Sequence, residues 1–457
     1  MNSAPLSLKF IVVGGGIAGL ACGYALRSAG HEVTILEKSD GKTKTGGSIR
    51  CPPNMTRILN DWPGMDAFLL SRATRCAGYK FRRGDTLEPV GFMKFHDEIM
   101  SELQANFLVV QHDGLCQQLE SLCLGAGAAV RYGCKVVNVK TTNGSVAVEL
   151  EDGSSLSGDI AVGADGHNSI LRSLLAMDVE EDLESTNIVP GINVCVPTQV
   201  LKQDPDLLAL CDYNELSLWM GNGSSIVGTL DKDAETFNFS LCSPENLDVC
   251  DRDWDEVRSR KIPLPFDLSD YDPRLQKLIN MSSSCYPTRH HLYVQDEVVG
   301  LDETVVLVGD AAHSALIHGS HNSAMAIEDA ATLGRLFSRI SNRNQISMLL
   351  HAYSEIRSPR TSATQVSEYQ ALMELSAPFG PISDGRDSAL RPSLTASFED
   401  FQGFDSGNML VQIWEQYLVM FAYDALEQVD NWWSMWGAVV DEAAVNGLAD
   451  DTKAMAI

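Results

Sequence analysis

The feature that most constrains this chain is its first forty residues. The segment from Phe10 to Val13 is a short apolar, β-branched run with no polar break, the pattern of a buried parallel strand. Gly14, Gly16 and Gly19 follow as G-x-G-x-x-G. The spacing then predicts a helix from about Ile17 to Ala29, with Ala18, Cys22, Ala25, Leu26 and Ala29 on one face and Gly30 as its stop. A second strand is expected from Val33 to Leu36, with Glu37 and Lys38 at its end.

This β-α-β order is what a dinucleotide needs. Gly14 permits the tight turn, Gly16 lets the backbone approach a pyrophosphate, and Gly19 allows the helix to pack closely on the strand. The helix N-terminus offers free N–H groups and partial positive charge to the phosphates. Glu37 would accept hydrogen bonds from ribose hydroxyls, while its charge disfavours a 2′-phosphate. The motif alone leaves NAD and FAD both open.

Two later stretches repeat the theme of a buried strand with an acid and a glycine at its carboxyl end. Residues 159–172 read DIAVGADGHNSILR, with Asp165-Gly166 and a helix expected near Ser169 and Arg172. Residues 305–337 read VVLVGDAAHSALIHGSHNSAMAIEDAATLGRLF, with Gly309-Asp310, a loop, and a helix lined by Ala326, Ala330, Leu333 and Phe337. Ligands of open α/β sheets sit at such strand ends.

GxGxxG, GADG…R and VGDAAH…AMAIEDA, in this order and spacing, resemble the FAD-dependent aromatic hydroxylases. These are the single-component flavoprotein monooxygenases typified by salicylate and p-hydroxybenzoate hydroxylase. The stretch from Thr45 to Leu59 is similar to their second flavin-contacting loop, and WMGNG at 219–223 to the strand and turn of their substrate domain. The resemblance runs from residue 9 to about 340. It implies an α/β fold: a Rossmann-like FAD-binding domain (1–75, 111–185, 291–345) interleaved with an antiparallel-sheet substrate domain (76–110, 186–290), plus a helical C-terminal region (346–457). It also implies an enzyme that uses NADPH or NADH transiently, and O2, to hydroxylate a small phenolic or benzoate-like aromatic through a C4a-hydroperoxyflavin. Epoxidation or oxidative rearrangement in secondary metabolism, and a non-catalytic flavin-fold binding protein, stay open as alternatives.

The resemblance assigns residues. Asp310, after Gly309, would bond the ribityl chain. Asp165 would hold local structure beside the flavin. Gly47, Ser48 and Arg50 would pass near the isoalloxazine ring, and the helix starting near Ser323 would aim its N-terminus at it. The chain departs from the relatives at four places. His112 stands where they carry an Arg on the FAD phosphates, so its protonation matters. Ser320-His321-Asn322 replaces a Gly-x-Gly-like tripeptide, with Ile317 in place of a Pro. Asn193 stands where many have an active-site Arg. His321 and Asn193 are therefore the candidate catalytic residues, His321 as a base for a phenol. His313, His318 and His321 lie within nine residues, but a strand-to-helix loop without nearby Cys does not suit a metal, and no metal is expected.

Composition narrows the partners. With 61 acidic against 34 basic residues the formal charge is −27, which repels nucleic acid and anionic lipid. The 11 Cys include no C-x-x-C pair, as expected of a reduced, cytoplasmic protein. No apolar run reaches the roughly 18 residues of a spanning helix. A monomer or homodimer is expected. Trp219, Phe237 and Phe239 are candidate pocket residues, the acids from Asp178 to Glu184 a solvated stretch between lobes, and the polar stretch from Ser383 to Gly407 a loop or linker. Trp414, Tyr417, Leu418 and Phe421 fall at helical spacing, with Trp432, Trp433 and Trp436 beyond.

Overall fold

The structure, a computed structural model, describes residues 3–42, 47–142, 144–175, 187–243, 267–281, 285–292, 297–300, 302–401 and 409–454. The apolar run after Lys9 becomes the strand Lys9–Val13, one of two central strands of a six-stranded sheet. In order across the sheet lie Val299–Gly300, Val305–Leu307, Ile160–Gly163, Lys9–Val13, Glu32–Leu36 and Ala129–Arg131. Val13 stands opposite Leu36 on one side and Gly163 on the other, and Gly163 opposite Leu307, all parallel. The strands that end in the three acid-glycine motifs are therefore consecutive neighbours, and their carboxyl ends form one edge.

Helix Ile17–Ser28 covers one face of this sheet and packs against helix Asn322–Phe337. Small residues set that approach: a Cβ on Gly334 would stand 2.8 Å from Ala25 Cβ. The meander Val136–Thr142, Ser145–Leu150 and Ser155–Gly158 leads into the central strand Ile160–Gly163.

The second domain is built on a seven-stranded sheet in the order Cys285–Leu292, Asn187–Pro197, Thr236–Cys242, Ser225–Asp231, Leu216–Met220, Gly78–Arg83, Pro89–Lys94. Its pairs are antiparallel except Leu216–Met220 with Gly78–Arg83, which is parallel, a departure from the purely antiparallel sheet expected. The reason is topological, since the chain leaves this sheet after residue 94 and re-enters it much later. Alternation gives the sheet two faces. Trp219, Ile226, Phe237, Phe239, Leu241 and Val194 lie on one, packed against Leu275, Leu278 and Ile279 of helix Pro273–Asn280. Tyr79, Phe81, Leu218, Val227 and Ser240 lie on the other, which faces the nucleotide-binding domain. Trp219, Phe237 and Phe239 thus belong to a far-side core, which corrects the expectation that they line the pocket.

The polar stretch after Ser383 is another correction. It is largely helical, with Pro381–Leu390, Arg391–Leu394 and Phe398–Phe401. Pro381 starts the first of these, and buried Asp387 pairs with Arg83 and Arg386. Residues 402–407 of that stretch, Thr45 and Gly46 of the second flavin loop, and the acidic run Asp178 to Glu184 lie outside the described residues. The C-terminal helices divide between the two cores. Trp414 and Phe421 of Met409–Ala422 join the near-side cluster of the large sheet, whereas Val429, Trp432 and Val440 of Ala425–Ala454 join the nucleotide-domain core. Among the described residues no helix is long and apolar enough to cross a membrane.

Candidate active site

The site is the edge where the three strands end. Gly14 leaves Val13 at φ +110°, and a Cβ there would sit 2.1 Å from Ala164 O. A Cβ on Gly19 would sit 1.9 Å from Gly14 O, so the helix packs on the turn only because both are glycine. A Cβ on Gly16 meets nothing within 4 Å: the turn is open on the side where the helix N–H groups point. Glu37, half-buried, accepts from Gly15 N–H at 2.7 Å and from Ser39 N–H at 2.8 Å, which fixes its carboxylate over the turn. Lys38 beside it is exposed.

Asp165 is half-buried and caps the short helix Ile170–Leu175, accepting from Ser169 Oγ at 2.5 Å and Ile170 N–H at 2.8 Å. Burial raises its pKa against these bonds. Arg172 of that helix donates to Asp310 O at 3.5 Å, to Ala311 O at 3.1 Å and to His167 O, tying the second turn to the third. Gly309 adopts φ +58°, and a Cβ there would meet Ala18 Cβ at 2.7 Å. Burial raises the pKa of Asp310, opposed by the nearby charges of His313, His112 and Arg172.

His112 starts helix His112–Gly125, with its N–H donating to Gly47 O at 3.1 Å. Its ring lies 3.3 Å from Asp113 Oδ1. Burial opposes protonation, but the bonds to Asp113 and Cys116 prevail and lift its pKa to about 10. His112 is therefore a cation at neutral pH.

The strand Ser48–Cys51 pairs with Leu108–Gln111 and crosses between the two domains. Ser48 Oγ donates to Asp231 Oδ2 at 2.7 Å and receives Asn238 Nδ2 at 2.9 Å, both from the large sheet. Arg50 donates to His318 O at 2.5 Å and Gly319 O at 3.2 Å, which binds the strand to the loop before helix Asn322–Phe337. That helix starts at Asn322, one residue before the expected Ser323, and Asn322 clamps its own loop by bonding Leu316 N–H and O.

The three loop histidines go to three separate partners. His313 Nε2 meets Asp329 Oδ2 at 2.8 Å, His318 Nδ1 meets Ser240 Oγ at 3.0 Å, and His321 Nδ1 meets Glu368 Oε1 at 3.0 Å. Among the described residues no cluster of three or more His, Cys, Asp or Glu is arranged to hold a metal. Asn193 shares the near face of the large sheet with Ser240 but is exposed.

Beneath the third turn lies a charged cluster with no assignment from sequence. Asp329 accepts Gly309 N–H at 2.9 Å, His313 Nε2 at 2.8 Å and Arg357 Nε at 2.8 Å. Burial would raise its pKa, but the charges of His313 and Arg357 hold it at about 2. Glu328 takes Asn54 Nδ2 at 2.7 Å, Arg357 at 2.8 Å and Arg360 at 3.2 Å. The sequence signal was two adjacent acids, Glu328 and Asp329, set between the apolar runs AMAI and AA of their helix; their partners on helix Ile346–Leu375 carried none. A surface cleft of about 720 Å³ bordered by Arg72, Arg75, Lys94 and Asp233 lies elsewhere, and no residue of the three motifs lines it.

Three adjacent parallel strands, a glycine turn under a helix N-terminus and a second sheet laid over the strand ends define a Rossmann-like dinucleotide-binding fold with a second, sheet-based domain. Comparison with known proteins sharpens this. Residues 12–61 match the NAD(P)-binding Rossmann-like domain family. The chain is 27% identical over 396 residues to the FAD-dependent monooxygenase OpS4 of Beauveria bassiana, covering 85% of this chain and 90% of that one. It is 24% identical over 405 residues to the 3-amino-4-hydroxybenzoate 2-monooxygenase of Streptomyces cremeus, covering 84% and 92%. A solved salicylate hydroxylase substrate complex superposes with a TM-score of 0.69 at 17% identity, covering 93% of this chain and 97% of that one. The chain is thus similar along most of its length to FAD-dependent monooxygenases and shares the fold of a flavin hydroxylase.

Proposed function

We propose that this chain binds FAD across the three turns and uses NAD(P)H and O2 to hydroxylate a small, phenolic aromatic. The observation that carries the reading is the adjacency of the three motif strands, whose ends meet at one edge. The residues fit the cofactor. The turn at Gly16 is open, Glu37 is fixed above it, and His313 Nδ1 is a buried polar atom without a protein partner beside Asp310. Gly14, Gly16 and the helix after them would hold the pyrophosphate, Glu37 the adenosine ribose, and cationic His112 a phosphate. Asp310 would take the ribityl chain, with Gly47, Ser48, Arg50 and the N-terminus of Asn322–Phe337 near the ring. Bound and reduced by NAD(P)H, FAD supplies the activation of O2 for transfer of one oxygen atom.

The chain's own part is to dry the site, orient the substrate and manage a proton. Ser48 joins the strand to the large sheet, Arg50 holds the loop before helix Asn322–Phe337, and the near face of the large sheet covers the strand ends. His321, buried on the loop, is the candidate base. Relatives named for salicylate and 3-amino-4-hydroxybenzoate support a phenolic substrate. Asn193, at the register where the resemblance places an Arg in many relatives, supports one without a carboxylate at that end. The test is a screen of phenols for substrate-dependent NAD(P)H oxidation, followed by oxygen-18 labelling. Label from O2 in the product is expected; label from water would reject hydroxylation of this kind.

A further inference from the structure

One oxygen of Glu368 does three things at once. Glu368 Oε1 accepts the N–H of Ser320 at 2.7 Å, the N–H of His321 at 2.9 Å and His321 Nδ1 at 3.0 Å. Glu368 comes from helix Ile346–Leu375, 47 residues further along the chain, and holds the SHN tripeptide in place.

The arrangement fixes a tautomer. A carboxylate only accepts, so the proton of neutral His321 resides on Nδ1 and Nε2 is left with a bare lone pair. That Nε2 is buried and bonds to no protein group, in a side chain only 3% exposed. An acceptor sealed from water without a donor carries a desolvation cost that a ligand's hydroxyl would relieve.

The surroundings suit an aromatic ring. Phe421 stacks on the imidazole at 5.8 Å and 27°. Tyr79 donates to Ser320 Oγ at 3.1 Å and lies 5.4 Å from Tyr417. The titratable groups facing the loop are Glu368 from the long helix, Tyr79 and Arg50 from two strands, Tyr417 from Met409–Ala422, and His318 of the loop itself. Burial drives the pKa of Tyr79 and of Tyr417 up, so both stay neutral, and Arg50 spends its guanidinium on loop carbonyls.

Resting on the monooxygenase reading above, we propose that Glu368 is the positioning residue of a His321–Glu368 base that deprotonates a hydroxyaromatic substrate lacking a carboxylate at this end. The substrate O–H bond breaks and its proton bonds to Nε2. The electron pair stays on the phenolate oxygen, which enriches the ring toward an electrophilic oxygen donor. The resulting imidazolium is held by Glu368, whose negative charge also repels a substrate carboxylate.

Two readouts test this without turnover. Nitrogen-15 NMR of histidine-labelled, FAD-loaded protein should report His321 with Nδ1 protonated and Nε2 bare; the opposite tautomer would overturn the proposal. Titration with 4-nitrophenol, whose ionised form is visible by absorbance, should show the bound probe ionising at lower pH than the free one. E368Q keeps an oxygen for the two loop amides and removes the charge, so it should move that ionisation up by about one pH unit. H321Q should abolish the shift and lower the hydroxylation rate by about 10²-fold or more. A probe that does not bind, or that ionises alike in wild type and E368Q, counts against the proposal. Failure of the underlying reading looks different: wild-type protein would take up no FAD, or its flavin would not be reduced by NAD(P)H.

Discussion

At the residue scale, two histidines separate what burial does from what a partner does. His31 is fully buried, takes the N–H of Leu8 on Nδ1 at 3.2 Å and lies 3.2 Å from Phe337 O through Nε2, so it is neutral. Burial lowers its pKa to about 4 despite the bond to Phe337. The unfolded chain takes a proton near pH 6.5 and the folded chain only near 4, so stability falls as the pH drops between those values. The loss is about 3 kcal/mol when complete. Guanidinium unfolding at several pH values should show this slope in the wild type and lose it in H31Q. His112 moves the other way. Its folded pKa of about 10 means its stabilising charge is fully present below pH 6.5 and is lost as pH rises through about 10. FAD retention on gel filtration should therefore fall through that range, H112R should hold FAD across it, and H112Q should lose roughly tenfold in affinity at neutral pH, in line with about 1.4 kcal/mol per tenfold change. Retention in H112Q equal to wild type would remove His112 from the phosphate site. The sequence marked His112 by its departure from the family pattern. Its charge state depends on Asp113 and Cys116 meeting the ring, which the family pattern did not reveal.

At the element scale, the three strand–turn units were readable because each encodes its own constraint locally: an apolar run, a glycine where a Cβ would collide, and an acid. Gly14 and Gly309 are such positions, and the strands came out within a residue of expectation. What escaped was whatever depends on pairing across distance. Trp219, Phe237 and Phe239 carry the same alternating signal whichever face they take, and only the sheet register assigns them to the far side. Glu368 lies on a helix with no local mark. The Glu328–Asp329–Arg357–Arg360 cluster is likewise split between two helices, and it makes a firm prediction. D329N removes a charge from beside buried Arg357 and leaves one acceptor oxygen where Gly309 N–H, His313 and Arg357 had two, so it should cost about 3–5 kcal/mol. D430N breaks the half-exposed pairs with Arg335 and Arg339 and should cost at most about 1 kcal/mol. Chemical denaturation of both variants checks the contrast. Equal losses would mean that the buried cluster does not anchor the third turn.

At the scale of the whole molecule, the described residues of the C-terminal helices pack into the cores of the two sheets. Met409–Ala422 completes the near side of the large sheet through Trp414 and Phe421, and Ala425–Ala454 completes the nucleotide domain through Val429, Trp432 and Val440. Arg57, on the helix Pro53–Asn60, donates to Tyr423 O at 2.8 Å and so pins the junction between the two helices. The tail therefore acts as a strap that packs into both cores. Unfolding of the tail and release of the cofactor are expected to coincide. Trp432 is 7% exposed and donates from Nε1 to Glu355 at 3.0 Å, so W432A removes both packing and a hydrogen bond and should cost about 3–5 kcal/mol. If the strap is part of both cores, heating W432A should show one transition, lowered from wild type, with loss of helix signal and release of flavin coinciding. If the tail were an autonomous unit, a separate low-temperature transition would melt helix while the flavin stayed bound and reducible. Circular dichroism and flavin fluorescence followed on the same sample distinguish the two.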